Sequence, residues 1–202
     1  MTLEETGNGL VAVLTSPGES ASNYHSAVLH GDGKAVTVEA DDELPADAGA
    51  LLAVGVAPFD GSVPRILATA LDRKLPVLGV GWGMHAVNVA MGGKAPVPVS
   101  EPPSGPTKMP VFISPGSKLS YTIAGSGWVS VPFDNHEGIR SGDLAPGLMG
   151  SCYREDNFLA AVEAPGRNWV LGVQWNAHDV DAMPSGFDSI LLALVERAAG
   201  IQ

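Results

Sequence analysis

The chain has 202 residues and a mass of 20.7 kDa, a length for one domain or at most two small ones; with no repeat and no interdomain linker in the sequence, a single domain over 1–202 is the expectation. Its 45% hydrophobic and 16% charged residues, with mean hydropathy +0.16, allow a substantial core and exclude a disordered chain. Eleven Lys and Arg against 22 Asp and Glu give a net charge of −11, which repels phosphate backbones and anionic lipid and so disfavours nucleic-acid and membrane-surface roles.

Gly9 to Thr15 is a short apolar run bounded by turn residues, which predicts a buried strand. Ser20 to Leu29 carries Tyr24, Ala27 and Val28 at helical spacing and stops at Gly31-Asp32-Gly33. Lys34 to Glu39 and Gly49 to Val56 read as strands, separated by an acidic solvated loop from Asp41 to Asp47. A helix over Val63 to Arg73, a strand over Leu75 to Val80 and a helix over Gly83 to Met91 follow. Alternation of this kind implies right-handed crossovers and a parallel sheet with helices on both faces. From Ala95 to Pro115 the chain is rich in Pro and Ser and reads as a surface excursion. Short strands follow at Met109 to Ile113, Gly127 to Val131, Leu148 to Tyr153, Leu159 to Glu163 and Trp169 to Gln174. Pro184 to Ala199 closes the chain as an amphipathic helix. Trp128 and Trp169 are expected in the strand core, and His25 and His30 facing solvent.

The single cysteine, Cys152, excludes an internal disulfide and a cysteine-cluster metal site, and leaves room for one catalytic thiol. The acidic start Met-Thr-Leu-Glu-Glu lacks the basic opening of a signal peptide, and apolar runs such as Ile190 to Val195 are too short for a membrane span. A soluble cytoplasmic protein is the expectation. The Ala, Gly and Val content, with five Lys, points to a GC-rich bacterial genome.

Chemistry concentrates in Leu75 to Lys94, where an apolar strand runs into Gly79-x-Gly81-x-Gly83, then a helix, then Gly92-Gly93. This is the pattern of a nucleophile elbow, a sharp strand-to-helix turn that exposes its central residue at the carboxyl edge of a sheet. A dinucleotide loop fits poorly, because its third glycine would fall at Met84.

With the later segments, the chain resembles the class I glutamine amidotransferases, and within them the γ-glutamyl-γ-aminobutyrate hydrolase (peptidase C26) branch. The elbow Pro76 to His85 resembles that family's P-V-L-G-I-C-x-G-M-Q; Pro115-Gly116-Ser117 and Leu119 match its P-G-S-x-L; Leu144 to Leu148 matches L-A-P-G-L; and Gly172 to Trp175 matches the start of G-V-Q-W-H-P-E. The resemblance implies an α/β, flavodoxin-like three-layer sandwich, with a mostly parallel central sheet and an antiparallel excursion in the second half. It also implies a Cys-His-Glu triad, but those positions hold Gly81, Asn176 and His178. Glycine has no nucleophile and asparagine accepts no proton near neutral pH, so the three changes read as loss of the thiol mechanism. Cys152, on a later strand, reads as a small core residue.

Trp82, His85, His136, Trp175 and His178 fall at motif positions, with Glu137, Asp134 and Asp179 close in sequence. Val54-Gly55-Val56 stands where the family has a Gly-Gly turn feeding its oxyanion hole, and keeps one glycine. The expectation is a repurposed enzyme for a small amide- or amino-acid-like metabolite. Its catalytic candidates are His136, His178 and Glu137, and Gly55, Gly81, Trp82, His85, Trp175 and Asn176 bind the ligand. The competing reading is an inactive ligand-binding or partner subunit. A metal is ranked lowest because no H-x-x-x-H or comparable spacing supports it, and no cofactor is expected. A homodimer or a partner enzyme is the expected assembly.

Overall fold

The computed structural model describes residues 9–55, 57–99, 107–133, 136–166, 168–179 and 181–200. Its first half contains β1 (Leu10–Thr15), α1 (Ser22–His30), β2 (Lys34–Val38), β3 (Ala50–Gly55), α2 (Arg65–Asp72), β4 (Val77–Gly81) and α3 (Trp82–Ala90). The second half contains β5 (Val97–Pro98), β6 (Thr107–Ile113), α4 (Lys118–Thr122), β7 (Gly127–Phe133) and β8 (Glu137–Arg140). After these come β9 (Met149–Arg154), β10 (Phe158–Glu163), β11 (Val170–Val173) and α5 (Ser189–Ala198).

The sheet runs β2-β1-β3-β4-β11-β10-β9-β6-β7, with β8 paired to β10 and β5 to β8. Strands β2, β1, β3, β4 and β11 pair in parallel; beyond β11 every pairing on that path is antiparallel. The central strands β3 and β4 are buried at every residue, which a parallel strand covered on both faces requires. Alternate residues divide between two cores. Val11, Val13, Leu52 and Val54 pack with Tyr24 and Val28 of α1 and with Ile190, Leu191 and Leu194 of α5. Ala12, Leu14, Leu51 and Ala53 pack with Ile66 and Leu67 of α2 and with Met84 and Val87 of α3. This is the expected three-layer α/β arrangement, with its antiparallel excursion in the second half. Among the described residues, no helix is long and apolar enough to cross a membrane.

Several elements differ from the sequence expectations. Helix α4 is absent from the periodicity argument, because five residues are too few to show a period. Ser117 starts it by accepting a hydrogen bond from the Ser120 N–H at 3.0 Å. The carboxylate of buried Glu163 holds the Lys118 and Leu119 N–H groups at 2.8 and 3.2 Å. Helix α5 begins at Ser189 rather than Pro184, after a turn in which Gly186 has φ +91°. Trp128 is not in the core: it is 62% exposed, because β7 is the sheet edge and this face of it has no helix above. Its ring packs edge-on against Phe112, the residue opposite it on β6, at 5.5 Å. His25 is half-buried, with Nε2 3.0 Å from Thr37 Oγ1, while His30 is exposed. Trp169 and Cys152 are buried as expected.

One buried polar residue ties the two halves together, and a second braces the antiparallel half. Asn88 of α3 is fully buried; its Nδ2 donates to the carbonyls of Lys94 and Asp143, and its Oδ1 accepts from the Ala145 N–H at 2.8 Å. This anchors the Leu144 to Leu148 turn onto the helix that follows the elbow. Arg154 of β9 is 6% exposed, ion-pairs with Asp156, and stacks over Phe133 at 4.3 Å and Phe158 at 5.4 Å.

Candidate functional site

Strand β4 passes directly into α3 at Gly81, which has φ +56° and ψ −112°. This left-handed geometry is costly for a residue with a Cβ, on the order of 1–3 kcal/mol. Space forbids a side chain as well. A Cβ at Gly81 would sit 2.3 Å from the Gly55 carbonyl oxygen at the end of β3. One layer further, a Cβ at Gly55 would sit 2.2 Å from Ser16 Oγ and 3.0 Å from Glu19 Oε2. The carboxyl ends of β4, β3 and β1 are therefore packed backbone to backbone, with Ser16 and Glu19 beside them. Carboxyl ends of parallel strands are where open α/β sheets form sites.

On the α3 side, His85 is 4% exposed. Its Nε2 lies 2.8 Å from Gln174 Nε2, so the amide N–H donates to an unprotonated ring nitrogen. The ring proton is then on Nδ1, which has no hydrogen-bond partner among the described residues and faces Glu137 Oε2 at 4.0 Å. Burial pushes the His85 pKa down to about 4, so at neutral pH the contact is not an ion pair. The same Glu137 oxygen accepts the Phe59 N–H at 2.9 Å, and Phe59 packs on Trp82 at 6.0 Å between ring centres. Trp82 is itself 6% exposed.

On the α1 side, His178 packs edge-on against Tyr24 at 4.6 Å. Its Nε2 is 3.5 Å from Asn23 Nδ2, and its buried Nδ1 has no partner among the described residues. Burial lowers its pKa, opposed by the charges of Asp179 and Glu19. Glu19 also accepts the Ser16 hydroxyl at 3.0 Å and, after burial, adds to the rise in the Tyr24 pKa. His178 thus belongs to a polar cluster with Ser16, Glu19, Asn23 and Tyr24.

The remaining sequence-selected residues are spread around these two groups. Trp175 is 1% exposed, packs on Phe187 at 5.4 Å and has a buried indole N–H with no partner among the described residues. The side chains of His136 and Asn176 are exposed; their main-chain carbonyls accept from Val99 and Asp179 N–H. Asp134 and Val56 lie outside the described residues. Among the described residues, no three His, Cys, Asp or Glu side chains gather in a manner suited to a metal ion. Sequence reasoning missed Ser16, Glu19, Asn23, Tyr24 and Gln174. A signal existed for the first two: Ser16-Pro17-Gly18-Glu19 is a turn with Pro second and Gly third, placed at the carboxyl end of β1. Gly18 has φ +83°, and the Glu19 N–H closes the turn on the Ser16 carbonyl at 3.2 Å.

The Peptidase C26 family model matches residues 60–178, more than half of the chain, from the segment before α2 through the elbow to His178. The chain belongs to the peptidase C26 family. It is 33% identical over 146 residues to a Mycobacterium tuberculosis protein named as a glutamine amidotransferase. That match takes in 67% of this chain but 44% of the relative, so the chain spans less than half of that relative's length. The fold is also that of several solved structures. A Thermoplasma acidophilum protein described as part of a GMP synthase superposes with TM-score 0.71 at 17% identity, covering 95% of this chain and 94% of that one. PurLQS from Thermotoga maritima gives 0.68 at 14% identity, covering 92% and 96%. The glutaminase domain of Trypanosoma brucei CTPS, solved with acivicin bound, gives 0.68 at 15% identity, covering 96% and 94%.

Proposed function

We propose that this peptidase C26 family member has given up thiol catalysis and uses the old glutaminase cleft for a small amide- or amino-acid-like metabolite. The observation that carries the reading is Gly81. The elbow keeps its left-handed turn, but the residue at its apex has no side chain, and the Gly55 carbonyl stands where a Cβ would be. The other two triad positions hold Asn176 and His178, neither of which reproduces a His-Glu pair.

The chemistry available is acid–base. Glu137 is fixed by the Phe59 N–H and faces the neutral His85 ring, so it is placed to take or relay a proton from a bound ligand. His178 offers a ring nitrogen without a partner among the described residues, beside Glu19. His136, exposed next to Glu137, completes the catalytic candidates. Gly55 and Gly81 supply close backbone, buried Trp82 and His85 stand on the α3 side of the sheet, buried Trp175 packs with Phe187 in the other core, and Asn176 offers an exposed amide for orientation.

Amide-resolved NMR titration of the whole protein with L-glutamine and L-glutamate tests the site. Shifts are expected at Gly55, Gly81, Trp82 and His178. Shifts confined to other parts of the molecule would contradict the assignment.

The second reading, a non-catalytic partner protein, is favoured by the uncovered face of β6 and β7, where Trp128 stands 62% exposed. Its support from relatives is indirect, through fold neighbours described as PurLQS and as one component of a GMP synthase. Ligand shifts without turnover of any small amide would favour it.

A further inference from the structure

A concave groove lies at the opposite end of the sheet from Gly81. Lys74 and Pro76 precede β4, and Trp169 precedes β11, so this groove of about 1060 Å³ opens at the amino ends of the parallel strands, between α4 and α5. Three of the chain's eleven Lys and Arg residues line it, Lys74, Lys118 and Arg197, although the molecule as a whole carries −11. Among the described residues none of the three is within ion-pair distance of a carboxylate. Glu196 is the one acidic residue in the lining among the described residues, which leaves the groove cationic.

Two of these cations are held in place. Lys118 Nζ donates to the carbonyls of Ala164 and Gly166, and Arg197 lies over the Trp169 ring at 4.8 Å while its Nη1 donates to the Ala193 carbonyl at 2.9 Å. Each keeps further N–H groups that these bonds do not use: an ammonium has three and a guanidinium five. The buried carboxylate of Glu163 is turned to the Lys118 and Leu119 main-chain N–H groups and is satisfied there. Tyr121, 78% exposed, and Leu192, 44% exposed, add an apolar surface beside the charges.

We propose that this groove binds a small metabolite bearing two or more phosphate or carboxylate groups on a flat or apolar body. Fixed cations outside ion-pair distance of a carboxylate recognise oxyanions, the Glu196 charge acting on Arg197 only from further off, and the arginine plane suits a two-oxygen contact. The charge complementarity is local: an anion approaching elsewhere on this acidic surface is repelled, and here it is drawn in. The volume fits a metabolite of nucleotide size, near the upper end of small-molecule sites. The site shares no residue with the elbow cleft and does not depend on what that cleft does.

Calorimetric titration of the full chain with pyrophosphate and, separately, citrate tests the proposal and distinguishes phosphate from carboxylate. One-to-one binding of at least one probe is expected. Lys74→Glu, a change at an exposed turn, is expected to weaken it at least about tenfold, and Lys108→Glu, on β6 outside the groove, to leave it unchanged. No binding of either probe up to about 10 mM overturns the proposal. Equal weakening by both variants also overturns it, since that is diffuse charge attraction. Binding of a hexaglutamate peptide but of neither small anion would make the groove a docking surface for an acidic polypeptide and overturn it as well.

Discussion

Gly81 fixes what the elbow can do, and His85 shows how its surroundings are tuned. At Gly81 the backbone strain and the 2.3 Å approach of the Gly55 carbonyl act together against any side chain. Gly81→Ala is expected to cost at least about 2 kcal/mol, measured by urea denaturation; a loss under about 0.5 kcal/mol would show that the β3 end yields easily. His85 has a pKa of about 4 in the folded chain, below its ordinary 6.5, because burial penalises the cation. The unfolded chain therefore binds more protons than the folded one between those values, and stability rises with pH there. The contribution of neutral His85 is present above pH 6.5 and is lost as pH falls through about 4, at a cost of about 3 kcal/mol. His85→Gln keeps an acceptor for Gln174 and removes the titration. Its stability should fall less than that of the parent chain from pH 6.5 to 4, and parallel curves would contradict the assignment.

At the scale of elements, what could be read from sequence follows from length and period. Strands β1, β3 and β4 are uninterrupted apolar runs, and the parallel half of the sheet follows from their alternation with helices. Helix α4, strand β8 and the two residues of β5 are too short for a period and are held by partners remote in sequence, such as Glu163 for α4. A large aromatic such as Trp128 is expected in a core because it buries well, but an edge strand with an open face leaves it outside. The Gly79-x-Gly81-x-Gly83 elbow was legible; what packs beside it was not, because Ser16 and Glu19 arrive from the turn after β1, about 60 residues earlier in the chain. The junction of α3 with the Leu144 turn gives a prediction at this scale. Asn88→Ala leaves the Lys94 carbonyl and the Ala145 N–H without this partner in a buried setting, and the Asp143 carbonyl with the Lys94 N–H alone, and should cost about 2–4 kcal/mol in urea or thermal unfolding. A change within about 0.5 kcal/mol would mean that water replaces the amide.

In the whole molecule, the two ends of the parallel strands carry different chemistry. The carboxyl end gathers tight glycine packing and two histidines with depressed pKa values, and the amino end gathers cations in an open groove, none within ion-pair distance of a carboxylate among the described residues. The one thiol belongs to neither end. Cys152 is fully buried in the antiparallel half, and burial pushes its pKa up to about 12, which keeps it protonated and unreactive at neutral pH. The proposed abandonment of thiol chemistry therefore draws on the buried state of Cys152 as well as on position 81. Its most direct test is release of ammonia from glutamine and of glutamate from γ-glutamyl amides by the purified chain, with and without iodoacetamide. The account predicts no iodoacetamide-sensitive turnover of either substrate. Turnover that the reagent abolishes would contradict it.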